Sequence, residues 1–130
     1  MSTERRGACN CGAVRIAVSG APKRVGLCHC LTCQREVGGP FIAFAVWPIE
    51  RARVEGQTRD WGENAYRRSF CPGCGSRIGA FEGDELEVRL GVLDDGGRGL
   101  VPEYELWVGR RQPWVTPVPD AAQHEGNRPK

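Results

Sequence analysis

Apolar and polar residues alternate along AVRIAVS (13–19). Val14, Ile16 and Val18 fall on one face, and Arg15, Ala17 and Ser19 on the other. A period of two predicts a half-buried strand. GAPK (20–23) supplies turn chemistry, and RVGLC (24–28) reads as a second short strand. FIAFAVW (41–47) is a continuous apolar, β-prone run ended by Pro48, the pattern of a core strand. RARVEG (51–56), AYRRSF (65–70), SRIGAF (76–81), ELEVRLGVL (85–93) and YELWVG (104–109) predict further strands. In the last of these Tyr104, Leu106 and Val108 alternate with Glu105 and Trp107. EGDE (82–85) makes a hairpin turn. LTCQREV (31–37) alone suits a helix, of one or two turns, stopped by Gly38, Gly39 and Pro40.

The pattern implies a mostly β chain of antiparallel sheets with little helix. Eighteen glycines and nine prolines in 130 residues agree with a turn-rich single domain. From Gln112 the chain is extended and broken by proline. Residues 1–6 and 118–130 are polar and are expected to be flexible ends around a domain at 7–117. Eighteen basic and 16 acidic residues give a net charge of +2. That balance argues against a dedicated nucleic-acid binder. The N-terminus has no apolar segment of a signal peptide, and no apolar run approaches the roughly 18 residues of a membrane span. The expectation is a soluble, cytoplasmic protein that engages no membrane. In a reducing compartment, clustered cysteines serve as metal ligands or redox groups rather than disulfides.

There are seven cysteines, in 9-CNC-11, 28-CHCLTC-33 and 71-CPGC-74. A C-x-x-C turn brings two sulfurs to one tetrahedral zinc, and Pro72 and Gly75 suit that turn. A redox C-x-x-C normally opens a helix, whereas strands are predicted on both sides here. C-x-C places two side chains on one side of an extended segment. One division pairs Cys9 and Cys11 with Cys71 and Cys74, leaving Cys28, Cys30 and Cys33 as a set of three. Three protein ligands are the pattern of a catalytic zinc. The other division joins Cys33 and either Cys28 or Cys30 to Cys71 and Cys74 in a zinc ribbon, stranding Cys9 and Cys11. Spacing favours the first, which keeps each local unit whole, without deciding between them. His29 projects opposite its cysteine neighbours in an extended segment, which suits a supporting role. His124 falls in the polar tail.

Together, 9-CNCGAVR-15, 28-CHCLTCQREVGGPF-41, 70-FCPGCGS-76 and 106-LWVGRRQPW-114 resemble the glutathione-dependent formaldehyde-activating enzyme (GFA, CENP-V/GFA domain) family. The resemblance runs from about Gly7 to Pro117. It implies a β-tent fold with two Zn²⁺ ions per chain. It assigns Cys9, Cys11, Cys71 and Cys74 to a structural zinc, and Cys28, Cys30 and Cys33 to a second, open zinc where the chemistry occurs. The implied activity is that of a carbon–sulfur lyase, an S-(hydroxymethyl)glutathione synthase acting on glutathione, or a similar thiol, and formaldehyde or another small aldehyde. A non-catalytic zinc-binding module or glutathione carrier is the alternative.

Two positions depart from the family pattern. Gln34 stands where Arg commonly follows the third cysteine, and Glu105 where His commonly precedes the late tryptophan. Arg15, Arg35, Arg67, Arg68, Arg77, Arg110 and Arg111 are candidate partners for substrate carboxylates. Of Trp47, Trp61, Trp107 and Trp114, the last two fall in the matching motif and are the candidates for a pocket wall.

Overall fold

β1 (Glu4–Ala8), β2 (Arg15–Ser19) and β5 (Ala52–Glu55) form a three-stranded antiparallel sheet in the order β1-β2-β5. The computed structural model of the chain describes residues 3–62 and 65–129. The second sheet has eight strands. Its central four are β3 (Arg24–Cys28), β4 (Ile42–Pro48), β9 (Glu85–Arg89) and β8 (Arg77–Glu82). β7 (Arg67–Phe70) and β6 (Arg59–Trp61) continue one edge; β10 (Tyr104–Leu106) and β11 (Ala122–Gln123) continue the other. The chain is thus mostly β, with one α-helix, α1 (Leu31–Val37), among the described residues. No helix there is long and apolar enough to cross a membrane.

The small sheet packs on one face of the large one. Val14, Ile16 and Val18 meet Ala45, Trp47, Ile78, Leu86 and Val88 in a single buried cluster. Full burial of Leu86 or Val88 contributes about 1.5–3 kcal/mol each. Trp47 has no solvent exposure, and its indole N–H donates to the Gly20 carbonyl at 3.0 Å. The opposite face of β3 and β4 carries a second cluster, Cys28, Ile42, Phe44, Val46 and Tyr104, against which Cys30, Cys33 and Leu106 pack. The two faces therefore hold separate cores.

Some expectations need correction. β10 runs parallel to both β3 and β11, so the large sheet is mixed rather than antiparallel throughout. The strand expected over 85–93 ends at Arg89 and turns into a 3-10 helix at Leu90–Val92. The one expected over 104–109 ends at Leu106, where Trp107 takes a left-handed conformation (φ 57°) and Val108–Arg110 coil into a 3-10 turn. β1 begins inside the stretch 1–6, and β11 lies inside 118–130. Both are held by backbone pairing rather than by apolar side chains, so hydropathy carries no trace of them. Met1, Ser2 and Lys130 of those expected flexible ends lie outside the described residues.

Candidate metal centres

Cys9 and Cys11 follow β1, while Cys71 and Cys74 follow β7, so the two pairs come from different sheets. Each pair sits on a tight turn. Gly12 donates to the Cys9 carbonyl at 3.0 Å, and Gly75 (φ 77°) to the Cys71 carbonyl at 2.8 Å. The backbone N–H of Asn10 reaches Ser76 Oγ at 2.9 Å and stitches one turn to the other. Cys9 and Cys11 sulfurs are 3.6 Å apart, Cys11 and Cys71 sulfurs 3.7 Å, and all four lie within 4.8 Å. A zinc tetrahedron with bonds near 2.3 Å has edges of about 3.8 Å, so this set fits the metal. The turns favour the thiolate at Cys9 and Cys74. At Cys11 a hydrogen bond from Ala13 lowers the thiol, but the neighbouring sulfurs of Cys9, Cys71 and Cys74 outweigh it and push it up to about 11. A hydrogen bond from Val14 N–H lowers the Cys9 thiol, and Ser76 holds Cys74 at about 5. No helix follows this C-x-x-C turn, which leads into β8. The redox reading loses its usual scaffold.

The opening motif gathers its own sulfurs. Cys28 ends β3, Cys30 is the N-cap of α1, and Cys33 lies in the first helical turn. Their sulfurs lie within 4.8 Å of one another. The structure therefore groups the cysteines as four and three; the ribbon that would strand Cys9 and Cys11 is not formed. Cys30 Sγ accepts the Cys33 backbone N–H at 3.3 Å, so one sulfur caps the helix and faces the cluster. Gly38 closes α1 in the left-handed conformation (φ 63°), returning its N–H to the Gln34 carbonyl. Cys28 is buried, whereas Cys30 and Cys33 are half-buried. Hydrogen bonds from Cys28 and Cys33 hold Cys30 down at about 2, while Cys30 pushes Cys28 up to about 11. Cys28 and Cys30 together push Cys33 up as well. Three sulfurs this close cannot all ionise without a cation among them, which is the second point of fit to zinc.

His29 is fastened from four sides. Its N–H donates to the Leu106 carbonyl at 3.0 Å, and its carbonyl accepts Gln34 Nε2 at 2.7 Å. Its ring lies 5.5 Å from Phe41, and Nε2 is 2.7 Å from Glu105 Oε1. Glu105 then reaches into the C-terminal segment. Its Oε2 accepts Val118 N–H at 2.8 Å and Gln123 Nε2 at 3.0 Å, and Arg111 Nη2 stands 3.3 Å from Oε1. Burial acts to raise this carboxyl, but hydrogen bonds from Gln123, His29, Val118 and Arg111 outweigh it and hold it at about 2. Both departures from the family pattern, Gln34 and Glu105, thus meet at the residue between Cys28 and Cys30.

Alternation placed Glu105 on the polar face of its strand, yet the side chain has no solvent exposure. The signal was its misfit with the family pattern, not its periodicity. The expected arginines divide. Arg68 and Arg77 pair with Glu36, Arg67 with Asp60 and Arg111 with Glu105, while Arg15 and Arg110 are exposed. Arg35 and Trp114 line a cleft of about 410 Å³ with Leu31, Gln34 and Gln112. Trp107 is absent from that wall and donates instead to Asn127 Oδ1 at 3.1 Å. His124, in the polar tail, lies edge-on to Tyr104 with ring centroids 6.2 Å apart.

Comparison with curated proteins returns no match. Comparison with family models does: that of the glutathione-dependent formaldehyde-activating enzyme, GFA, matches residues 4–110 and so covers every cysteine of both clusters. The chain belongs to the GFA family.

Proposed function

We propose that this protein is a zinc-dependent enzyme of the carbon–sulfur lyase type. It adds a thiol, such as glutathione, to formaldehyde or a similar small aldehyde. The observation that carries this reading is the unequal pair of clusters. Cys9, Cys11, Cys71 and Cys74 supply a full tetrahedral set of four donors between the sheets, whereas Cys28, Cys30 and Cys33 supply three. A closed set serves structure, and a set one short of four serves a ligand.

Cys9, Cys11, Cys71 and Cys74 would hold the structural ion, and Cys28, Cys30 and Cys33 the second one. Zinc at the second set would acidify an incoming thiol and keep it as a thiolate at neutral pH. In the overall reaction a sulfur–carbon bond forms, the carbonyl π bond opens, and the thiol proton ends on the new hydroxyl. Thiols and formaldehyde combine unaided, so the protein's share is largely alignment. His29, Gln34 and Glu105 supply rigidity by fixing the backbone between two of the three sulfurs. Seven cysteines without a disulfide suit a reducing compartment, and we assign the protein to the cytoplasm on that ground.

The test is exchange spectroscopy of glutathione–formaldehyde adduct formation with zinc-loaded protein. Acceleration that disappears in Cys30→Ser supports the enzyme. Glutathione binding with no acceleration would replace it with a carrier, and no binding at all would reject both.

A further inference from the structure

α1 contains no buried residue, although it starts from Cys30 and carries Cys33. A surface helix is ordinarily held by an apolar stripe laid on the core. This one is held largely by polar side chains. Gln34 fastens it to the His29 carbonyl. Glu36 reaches the large sheet, where Arg68, Arg77 and Arg89 converge on its carboxylate, Arg89 Nη2 at 3.1 Å. Its side chain is only 12% exposed. Cys33 and Glu36 stand three residues apart, so they share a helix face. Whatever fixes Glu36 therefore also fixes Cys33.

Two of those arginines flank the other metal centre. Arg68 lies on β7, three residues before Cys71, and Arg77 opens β8, three residues after Cys74. The turn between them is closed by Cys71 N–H on the Ser76 carbonyl at 2.9 Å and Gly75 N–H on the Cys71 carbonyl at 2.8 Å. It meets the Cys9–Cys11 turn through the four sulfurs and through Asn10 N–H on Ser76 Oγ. The ladder between β7 and β8 shifts register at Ser69 and Phe70, between Arg68 and the turn. Strand pairing alone therefore leaves this end of the hairpin less regular, and the turn sets where the two guanidiniums meet. Arg89 differs. It ends β9 and stands beside Glu87, Nε to Oε1 3.6 Å, so it keeps its place without the turn.

We infer that Glu36 is a positioning residue that couples the two metal centres. Metal at the four-cysteine set orders the turn between β7 and β8. Arg68 and Arg77 then converge on Glu36, and Glu36 holds Cys33 beside Cys28 and Cys30. The inference rests on the metal-binding reading of both cysteine sets. Without the ordered turn Glu36 loses two of its three partners, and an enclosed carboxylate so deprived moves out to water. α1 has no apolar face to keep it in place and follows, so the three sulfurs part. The trio is thus ready for a thiol only in a chain whose sheets are clamped. Coupling between two sites is reciprocal, so emptying the trio weakens the four-cysteine set by the same factor.

The test loads the full-length chain with ¹¹³Cd, whose resonance differs between four-sulfur and three-sulfur sites, and removes the metal by chelator competition. Cys30→Ser, which empties the trio, identifies its signal. In the unaltered background Cys30→Ser should weaken cadmium at the four-cysteine set about tenfold, a typical coupling between sites. In Glu36→Gln, which keeps the shape and removes the charge, the same substitution should change that affinity by less than about twofold. A Glu36 that only stabilises the fold would weaken both centres and leave the effect of Cys30→Ser intact. That result overturns the coupling and leaves the two metal centres standing. A single cadmium signal in the unaltered chain overturns the coupling together with the two-metal reading. Should Glu36→Gln not fold, Arg68→Gln, at the most exposed of the three arginines, carries the test. There the tenfold effect should shrink, and an undiminished effect overturns the coupling.

Discussion

His29 Nε2 and Glu105 Oε1 are 2.7 Å apart, and neither side chain has any contact with solvent. A carboxylate sealed in this way survives only through its donors. Glu105→Ala leaves His29, Gln123 and Val118 N–H without their acceptor, and should cost about 3–5 kcal/mol. Glu105→Gln keeps the shape and should cost about 1–3 kcal/mol, while Gln123→Ala, which removes a single donor, should cost about 1 kcal/mol. Glu105→Gln should also weaken zinc at Cys28, Cys30 and Cys33, because it loosens His29, whose backbone joins two of those cysteines. Chemical denaturation and chelator competition measure the two effects. Unchanged zinc affinity would reduce the pair to a packing role.

The two clusters predict unequal consequences for single sulfur losses. Cys74→Ser opens the clamp between the sheets and should leave the chain largely unfolded, since structural metal binding is folding free energy. Cys30→Ser should lose one zinc equivalent while retaining the native fold. Metal analysis alongside circular dichroism checks both. Similar melting of the two variants would contradict the division of roles.

Acid should weaken the fold through Glu85. Arg24 grips its carboxylate with two N–H groups at 3.1 and 2.6 Å, Lys23 adds a contact at 2.5 Å, and the group is held at about 2. A lowered carboxyl stabilises the fold above its ordinary value, and that contribution is lost as pH falls from about 4.5 to about 2. Glu85→Gln should therefore reduce stability at neutral pH by about 1–2 kcal/mol after screening by water, and by little at pH 2. Paired melting curves from pH 7 to 2 give the difference directly, with acid effects on the metal centres common to both proteins.

Gly79 is the glycine of the large sheet with least room for a side chain. A Cβ built there would lie 1.8 Å from the Glu87 carbonyl oxygen, which is backbone and cannot swing aside. Gly79→Ala should force β8 and β9 apart and destabilise the fold by more than about 3 kcal/mol. Denaturant unfolding checks the size of the loss, and a change within about 0.5 kcal/mol would show that the strands yield.

What the sequence disclosed followed from local physics. Ile16 and Val18, with Val14 just before them, announce β2 because they enter the core between the sheets, although Ala17 on the other face is buried as well, and Gly38 and Pro40 mark the end of α1 because the helix stops locally. The cysteine sets are legible as local units, and family resemblance chose their grouping. Long-range pairing left no such mark. Arg59–Trp61 is a strand with every residue exposed, held by its pairing with β7. Glu105 reads as a surface residue until β10 is laid between β3 and β11, where its neighbours become His29 and Gln123. Glu36 likewise reads as a solvated helix residue until α1 covers arginines that are 32 to 53 positions away.

The clamp between the sheets also sets an order of assembly. Cys11 and Cys71 are 60 positions apart, whereas Cys28, Cys30 and Cys33 span one short turn and cap. Closing the longer loop carries the larger entropic cost. During synthesis five of the seven cysteines emerge before Cys71 and Cys74 are made. For that interval Cys9 and Cys11 stand without the two cysteines that follow β7, so the four-cysteine set is the later of the two to be completed, and the two sheets can be clamped together only after the local trio is in place.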